Sequence, residues 1–170
     1  MQEFHFYLPT EIIFGKDKEL QTGREVSRHG SKRVLLVYGG RSAEKSGLLD
    51  RIRKSLEEER IFYAEWGGVQ PNPRLNHAQA GTDLAVRENV DFILAVGGGS
   101  VIDTAKAISH GAANPGAKLW DIWTGKVKLT KSLPVGVILT IAAAGSETSD
   151  SAVLTNTEIG KKAGLSTPLN

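Results

Sequence analysis

The fold of this chain is decided by one strand-to-helix junction, VDFILAVGGGSVIDTAK, at residues 90–106. Residues 90–96 are almost all apolar, which is typical of a parallel strand that is buried on both faces. Three glycines and Ser100 end the apolar run, and a helix is predicted from Val101 to about Gly111. A buried strand that passes directly into a helix indicates the α/β class.

The same alternation continues on both sides of this junction. Buried strands are predicted at residues 33–38 and 135–140, a further strand at 61–66, and a last short strand at 152–155. Helices are predicted at residues 18–28, at 75–88, and after Ser42 or Ser46, either of which would cap the helix. Residues 4–8 and 11–14 predict an N-terminal β-hairpin. We therefore expect one α/β domain over residues 1–170, with a Rossmann-like, mostly parallel sheet, helices on both faces and this hairpin.

Composition excludes several classes of protein. The 170 residues carry 21 Lys and Arg against 19 Asp and Glu, a net charge of +2, which excludes a basic nucleic-acid-binding arm. No cysteine is present, which excludes disulfide frameworks and thiolate chemistry. The longest apolar stretch, residues 135–144, is shorter than the roughly 20 residues that cross a bilayer. We expect a cytoplasmic protein that binds neither nucleic acid nor a membrane.

Glycine-rich segments follow the predicted strands, and these positions meet along the rim of a parallel sheet where ligands bind. The clearest segment is Gly97, Gly98, Gly99 and Ser100. Glycines permit positive φ values and a close approach of the backbone to a ligand, and the amides at the start of a helix favour an anion. A phosphate or pyrophosphate is the expected ligand. The alternative is a turn that only lets strand and helix pack closely, since the usual G-x-G-x-x-G spacing is absent.

Two charged residues follow in the same predicted helix. Asp103 has a purely structural interpretation, in which it stabilises the positive end of the helix. Lys106 is interpreted as a solvated helix residue.

Gly39, Gly40, Arg41 and Ser42 follow the first buried strand. In dinucleotide-binding folds a carboxylate near this place holds the ribose 2′-hydroxyl of NAD, whereas an Arg accommodates the 2′-phosphate of NADP. The segment has no carboxylate and therefore favours NADP(H) over NAD(H). An exposed Arg41 with Ser42 as a helix cap would give the same sequence.

No complete catalytic set is visible. The four histidines, His5, His29, His77 and His110, form no H-x-x-x-H or H-E-x-x-H pair, so no metal ligand is predicted in this chain. The G-x-S-x-G motif of serine hydrolases is also missing.

Five segments together resemble the N-terminal half of the iron-containing alcohol dehydrogenases, and specifically the NADPH-dependent butanol and aldehyde-reducing branch. The segments are PTEIIFG (9–15), YGGRS (38–42), PNP (71–73), AVGGGSVIDTAK (95–106) and TIAAAGSE (140–147). They occur in the family's order and cover essentially the whole chain. The pattern G-G-G-S-x-x-D-x-A-K at a strand-to-helix junction is the most specific of them.

The resemblance implies that these residues bind a dinucleotide. The pyrophosphate would be held by Gly97, Gly98, Gly99 and Ser100, with Asp103 near the nicotinamide. The 2′-phosphate would be surrounded by Gly39, Gly40, Arg41 and Ser42. Further contacts would come from Asn72 to the adenosine half, from Thr140 and its loop to the nucleotide, and from Lys162 at the position of a cofactor-contacting lysine.

Two positions depart from the family pattern. Arg41 stands where a third glycine is common, and this either strengthens phosphate binding or alters the loop, because Arg does not adopt the φ values of glycine cheaply. Ala144 stands where the family has Thr or Ser, which puts a hydroxyl contact in doubt.

The resemblance also implies what lies outside this chain. The family's helical second half binds iron or zinc through one Asp and three His, and the metal polarises the substrate carbonyl. No catalytic residue is therefore expected in this chain, which alone would be inactive. We expect the cofactor-binding domain of an NADP(H)-dependent dehydrogenase for primary alcohols and aldehydes, a homodimer at full length. The alternatives are an NAD-dependent polyol dehydrogenase and a non-catalytic nucleotide-binding module.

Overall fold

A four-stranded parallel sheet forms the centre of the molecule in the computed structural model, which describes residue 3 and residues 7–170. Its strands lie in the order β2-β1-β3-β4. They are β1 (Arg33–Tyr38), β2 (Phe62–Trp66), β3 (Phe92–Gly97) and β4 (Val135–Leu139). The predicted parallel sheet is confirmed.

Helices cover both faces of this sheet, as predicted. They are α1 (Thr22–Arg28), α2 (Arg41–Lys45), α3 (Leu48–Glu58), α4 (Leu75–Arg87), α5 (Gly99–Ala113) and α6 (Leu119–Trp123). On one face Leu36 and Leu94 pack with Ile52 of α3, and on the other Leu35 packs with Ile102 of α5. Alternate residues of β1 thus enter opposite cores, which requires the unbroken apolar run at residues 34–37.

The register between β1 and β3 is held at their amino ends by Asp91. Its carboxylate accepts the backbone N–H of Lys32 at 3.0 Å and that of Arg33 at 3.0 Å, while the Asp91 N–H donates to the Arg33 carbonyl at 2.8 Å. In this register Tyr38 lies beside Val96, so the two strands end together.

A two-stranded antiparallel hairpin, β5 (Ser151–Asn156) with β6 (Lys161–Ser166), packs against helices α4, α5 and α6. Ala152 and Leu154 of β5 are buried against Ala78 of α4 and Leu119 of α6. The predicted strand at 152–155 is confirmed. β6 was not predicted from its sequence, KKAGLS, and four of its six residues are exposed.

The second strand of the predicted N-terminal hairpin does not form: residues 11–14 have no strand partner in the described part of the chain. The first strand, at residues 4–8, falls mostly outside the described residues. Phe14 is 94% exposed and Ile12 is 63% exposed, so these two apolar side chains are not buried in a hydrophobic core.

The two predicted N-terminal helices are both interrupted. Residues 18–28 form a 3₁₀ turn (Lys18–Gln21) and then α1, and the helix expected after Ser42 is divided into α2 and α3. Gly47 causes the second break because its φ of 69° is left-handed and cannot continue a helix. Neither Ser42 nor Ser46 caps α3, whose N-cap is Gly47 itself.

β4 is less buried than the sequence indicates. Its residues are half-buried or exposed because it is an edge strand, with β3 as its neighbour on one side.

None of the helices in residues 7–170 combines the length and hydrophobicity needed to cross a membrane.

Gly23 marks a direct backbone contact between α1 and α3. A Cβ atom at this position would lie 2.0 Å from the Ser55 carbonyl oxygen, and the Gly23 N–H donates to the Ser55 hydroxyl at 3.0 Å. The Ser55 hydroxyl in turn donates to the Leu20 carbonyl. The helices can cross this closely only over a glycine.

His110 is a titratable side chain in the core of α5. It has no solvent exposure, its Nε2 lies 2.7 Å from Oδ1 of Asn170, and its ring lies 5.8 Å from that of Trp123. Burial lowers the pKa of His110 to about 4, because the charged imidazolium is desolvated there.

We expect the free energy of unfolding to fall as the pH drops from about 6.5 to 4, because the unfolded chain protonates His110 in this range and the folded chain does not. At pH 4 the loss reaches about 3 kcal/mol from this group. His110→Gln, which keeps a polar partner for Asn170, should give a shallower pH dependence in urea denaturation. His29→Gln, at an exposed histidine, is the control, and parallel pH curves for the wild type and His110→Gln would contradict the prediction.

Candidate functional site

The carboxyl ends of β1 and β3 define the candidate site. The chain adds β2 to one side of β1, and then β3 and β4 to the other side, so the order in which strands are added reverses between β1 and β3. In open α/β sheets ligands bind in the crevice at such a switch point. Gly39 follows β1 directly beside Gly97 of β3, since Tyr38 pairs with Val96. The two glycine segments singled out in the sequence therefore meet.

These glycines do not use the left-handed conformations expected of them. None of the five glycines has a positive φ; they are Gly39, Gly40, Gly97, Gly98 and Gly99. A Cβ atom on Gly97 would lie 2.5 Å from the Val101 side chain, and one on Gly98 would lie 2.7 Å from Ile141. Close packing, the alternative interpretation, thus explains Gly97 and Gly98.

Gly40 has open space around it, whereas Gly99 has little. A Cβ atom on Gly40 would meet no atom within 4 Å, but one on Gly99 would lie 3.2 Å from the Ser146 hydroxyl. The missing side chain leaves the backbone of Gly40 open on the rim, and at Gly99 it lets the loop that carries Ser146 approach the first turn of α5.

The N-terminus of α5 points into this crevice. Gly98 is the extended N-cap residue, and its carbonyl accepts the N–H groups of Val101 and Ile102 at 2.9 and 3.1 Å. No described side chain caps this 15-residue helix. The amides of its first turn, which includes Gly99 and Ser100, are therefore suited to binding an anion.

Arg41 and Ser42 begin α2 at the carboxyl end of β1, with Gly40 as N-cap. Arg41 has helical backbone geometry, so the third glycine of the family pattern is not needed there. Ser42 is exposed, and the N-terminus of α2 has no side-chain cap. The sequence interpretation of Ser42 as a cap is therefore wrong for both helices.

Asp103 lies one turn into α5 and is 9% exposed. Its Oδ2 accepts the N–H of Val153 in β5 at 3.1 Å, whereas its buried Oδ1 accepts no hydrogen bond from the described residues. Burial raises the pKa of Asp103, and the Val153 amide and the nearby Ser146 hydroxyl oppose this effect. Asp103 therefore connects α5 to β5. It does not lie in the first turn of α5, so the prediction that it stabilises the positive end of the helix is corrected.

Lys106 is buried, contrary to the expectation of a solvated lysine. Only 3% of it is exposed, and its Nζ donates to the carbonyls of Ser146, Ser149 and Ser151 at 2.8, 2.6 and 3.1 Å. Burial lowers the pKa of Lys106. The sequence contained a signal for this, because α5 is apolar or small on nearly every side and offers a lysine no solvated face.

Thr140 begins the loop that closes the crevice opposite α5. Its N–H donates to the Gly97 carbonyl at 3.1 Å, and its side chain is exposed. Further along the loop, Ile141 lies against Gly98. Ala144 and Ser146 lie against Gly99. Thr140 and the residues after it are thus brought to the glycine-rich junction.

Asn72 and Lys162 meet although they lie 90 positions apart. The Lys162 Nζ of β6 donates to Oδ1 of Asn72 at 3.2 Å. The backbone of Asn72 is left-handed, with a φ of 58°, and the N–H of Thr155 donates to the adjacent Pro73 carbonyl at 2.7 Å. The hydrogen bond from Lys162 thus joins β6 to the segment that precedes α4.

The comparisons with known proteins agree with this Rossmann-like α/β architecture. The structure of NADH-dependent butanol dehydrogenase A from Thermotoga maritima superposes with a TM-score of 0.94 at 39% identity, over 99% of this chain and 42% of that one. The family model described as iron-containing alcohol dehydrogenase matches residues 9–170. The chain belongs to the iron-containing alcohol dehydrogenase family.

Two curated relatives show the range of this family. A probable NADH-dependent butanol dehydrogenase of Bacillus subtilis is 46% identical over 162 residues, which are 95% of this chain and 41% of the relative. The NADPH-dependent aldehyde reductase YqhD of Escherichia coli is 37% identical over 164 residues, again 95% of this chain and 41% of the relative. The chain spans about two fifths of the length of these relatives.

The described residues do not fit the iron in the family's name. Within residue 3 and residues 7–170, no group of three or more His, Asp or Glu side chains could hold a metal ion. No chemical step of this chain is therefore assigned to a metal.

We expect Asn72→Ala to destabilise the chain by about 1 kcal/mol more than Asn72→Gly. Both substitutions remove the hydrogen bond from Lys162, but only alanine has a Cβ that opposes the left-handed backbone at this position. Urea denaturation of the two variants measures the difference, with Asn72→Gly as the matched control. Equal losses would show that the backbone conformation at residue 72 is not constraining.

Proposed function

We propose that this chain is the cofactor-binding part of an alcohol dehydrogenase that moves a hydride between a nicotinamide dinucleotide and a primary alcohol or aldehyde. The observation that supports this most is the meeting of Gly39 and Gly97 at the switch point of the sheet, beside the uncapped N-terminus of α5. A dinucleotide needs an anion site of this kind for its pyrophosphate.

In this proposal the crevice holds the dinucleotide in three parts. The amides of Gly98, Gly99 and Ser100 bind the pyrophosphate, and the loop that starts at Thr140 covers it. The unpartnered Oδ1 of Asp103 accepts a hydrogen bond from the nicotinamide end. The segment with Gly39, Gly40, Arg41 and Ser42 receives the adenosine ribose.

Asn72 and Lys162 are the remaining cofactor contacts in this proposal. The sequence prediction placed Asn72 at the adenosine half. Its hydrogen bond to Lys162 holds the two side chains together, so in this proposal they bind the dinucleotide as a pair.

The cofactor in this proposal is NADP(H). Arg41 and Ser42 offer a positive charge and a hydroxyl at the start of α2, and the segment contains no carboxylate that would repel a 2′-phosphate. The relatives carry both names, NADH-dependent in Bacillus subtilis and NADPH-dependent in Escherichia coli. NAD(H) is therefore the competing assignment.

The substrate class follows from the relatives' names, butanol dehydrogenase and aldehyde reductase. Reduction of an aldehyde is assisted when a bound metal ion polarises its carbonyl oxygen. We propose that iron or zinc is held by residues outside this chain in a longer, homodimeric, cytoplasmic enzyme, and that this chain alone binds the cofactor without turnover.

We expect Gly99→Ala to weaken NADPH binding by at least tenfold, because the methyl group would occupy the space between the first turn of α5 and Ser146. Calorimetric titration of the purified chain measures the dissociation constant. Gly164→Ala in β6 is the control, since a Cβ there meets only ordinary contact at 3.9 Å. A folded wild-type chain that binds neither NADPH nor NADH would contradict the proposed function.

For the cofactor preference, we expect NADPH to bind more tightly than NADH. Arg41→Gln should reduce NADPH affinity about tenfold and leave NADH affinity unchanged, since only NADPH carries the 2′-phosphate. The matched control is Arg24→Gln, an exposed arginine on α1. Equal affinities for the two cofactors, unaffected by Arg41→Gln, would contradict the preference for NADP(H), and tighter binding of NADH would assign NAD(H) instead.

A further inference from the structure

The connection between β4 and β5, residues 140–150, forms one wall of the crevice but contains no helix or strand. Residues 140–144 are exposed. Ile141, Ala144 and Ser146 nevertheless lie against Gly98 and Gly99, so their position decides the width of the crevice at the first turn of α5.

The loop is fastened to the rest of the chain by backbone hydrogen bonds only at its two ends. At one end the Thr140 N–H donates to Gly97, and at the other the Thr167 N–H donates to the Asp150 carbonyl at 2.8 Å. The bond from the Thr148 N–H to the Gly145 carbonyl, at 3.1 Å, is internal to the loop.

The middle of the loop is held by the buried ammonium of Lys106. Its three N–H groups match three carbonyls, those of Ser146 and Ser149 in the loop and that of Ser151 at the start of β5, all within 3.1 Å. Because a buried ammonium without partners is costly, these carbonyls and the lysine are held to one arrangement.

Lys106 offers no free donor to a phosphate at the first turn of α5. It is six residues after Ser100, about 9 Å along the axis of α5. Its side chain points to the loop and is fully engaged there, so it has no free N–H for a ligand.

We propose that Lys106 is a positioning residue that sets cofactor affinity by fastening residues 145–151 over the N-terminus of α5. This inference rests on the proposed function, because the affinity concerned is that for NAD(P)H. In this proposal Lys106 does not contact the cofactor. Removal of its charge and its donors releases the loop and widens the crevice.

The absence of cysteine from the chain permits a test with one engineered thiol. Lys106→Cys is alkylated in the unfolded state with 2-bromoethylamine, which restores an ammonium at the length of lysine, or with 1-bromopropane, which gives a neutral side chain of the same length. Both forms are refolded and compared with the wild type. Lys128→Met, at an exposed lysine, controls for loss of a surface charge.

Two quantities are measured: hydrogen exchange of the amides of residues 145–151 without cofactor, and the dissociation constant for NADPH and NADH. The aminoethyl form should match the wild type in both, within about threefold. The propyl form should exchange these amides at least tenfold faster and bind cofactor at least tenfold more weakly, with the amides of β1 and β3 as protected as in the wild type. Rescue by the ammonium separates positioning from a general loss of packing.

Equal loop exchange in the two alkylated forms would overturn the proposal, and so would equal cofactor affinity. If the propyl form does not refold, Lys106→Gln, which keeps an N–H donor, replaces it with the same criteria. If the wild type itself binds no cofactor, the proposed function fails, and loop exchange still decides whether Lys106 fastens residues 145–151.

Discussion

The parallel pairing of β1 with β3 is the constraint on which the rest of the structure depends. Asp91 binds the amides of Lys32 and Arg33 at the amino ends of the two strands, and this register makes the carboxyl ends coincide at Gly39 and Gly97. A slip of one residue would move every β1 side chain to the opposite core and separate the two glycine segments. The candidate site is thus fixed by a carboxylate at the far end of the sheet, about 20 Å away over six residues of strand.

The sheet, the helices on its two faces and the glycine junctions could be predicted because each is a local pattern. A continuous apolar run predicts a buried strand whether or not its neighbours are known, and β1 and β3 are both of this kind. The segments that could not be predicted depend on distant partners. β6 forms because β5 pairs with it, and residues 11–14 have no strand partner among the described residues.

The candidate site shows the same division. The sequence identifies Gly99 and Ser100 from their place after a strand, and the family resemblance adds Thr140. Asn72 and Lys162, in contrast, meet only through the docking of the β5–β6 hairpin. Lys106 is an instructive error. Read alone, a helical lysine is a surface residue, yet the surrounding residues of α5 left it no surface to reach.

The crossing of α1 over α3 at Gly23 bears on how variation in this chain should be interpreted. Two backbones touch there, so no rearrangement of neighbouring side chains can make room for even a methyl group. In a set of randomised variants selected for folding alone, position 23 would return only glycine. An invariant glycine is commonly taken as a mark of ligand binding in a protein with glycine-rich phosphate loops, but at this position it would report the distance between two helices.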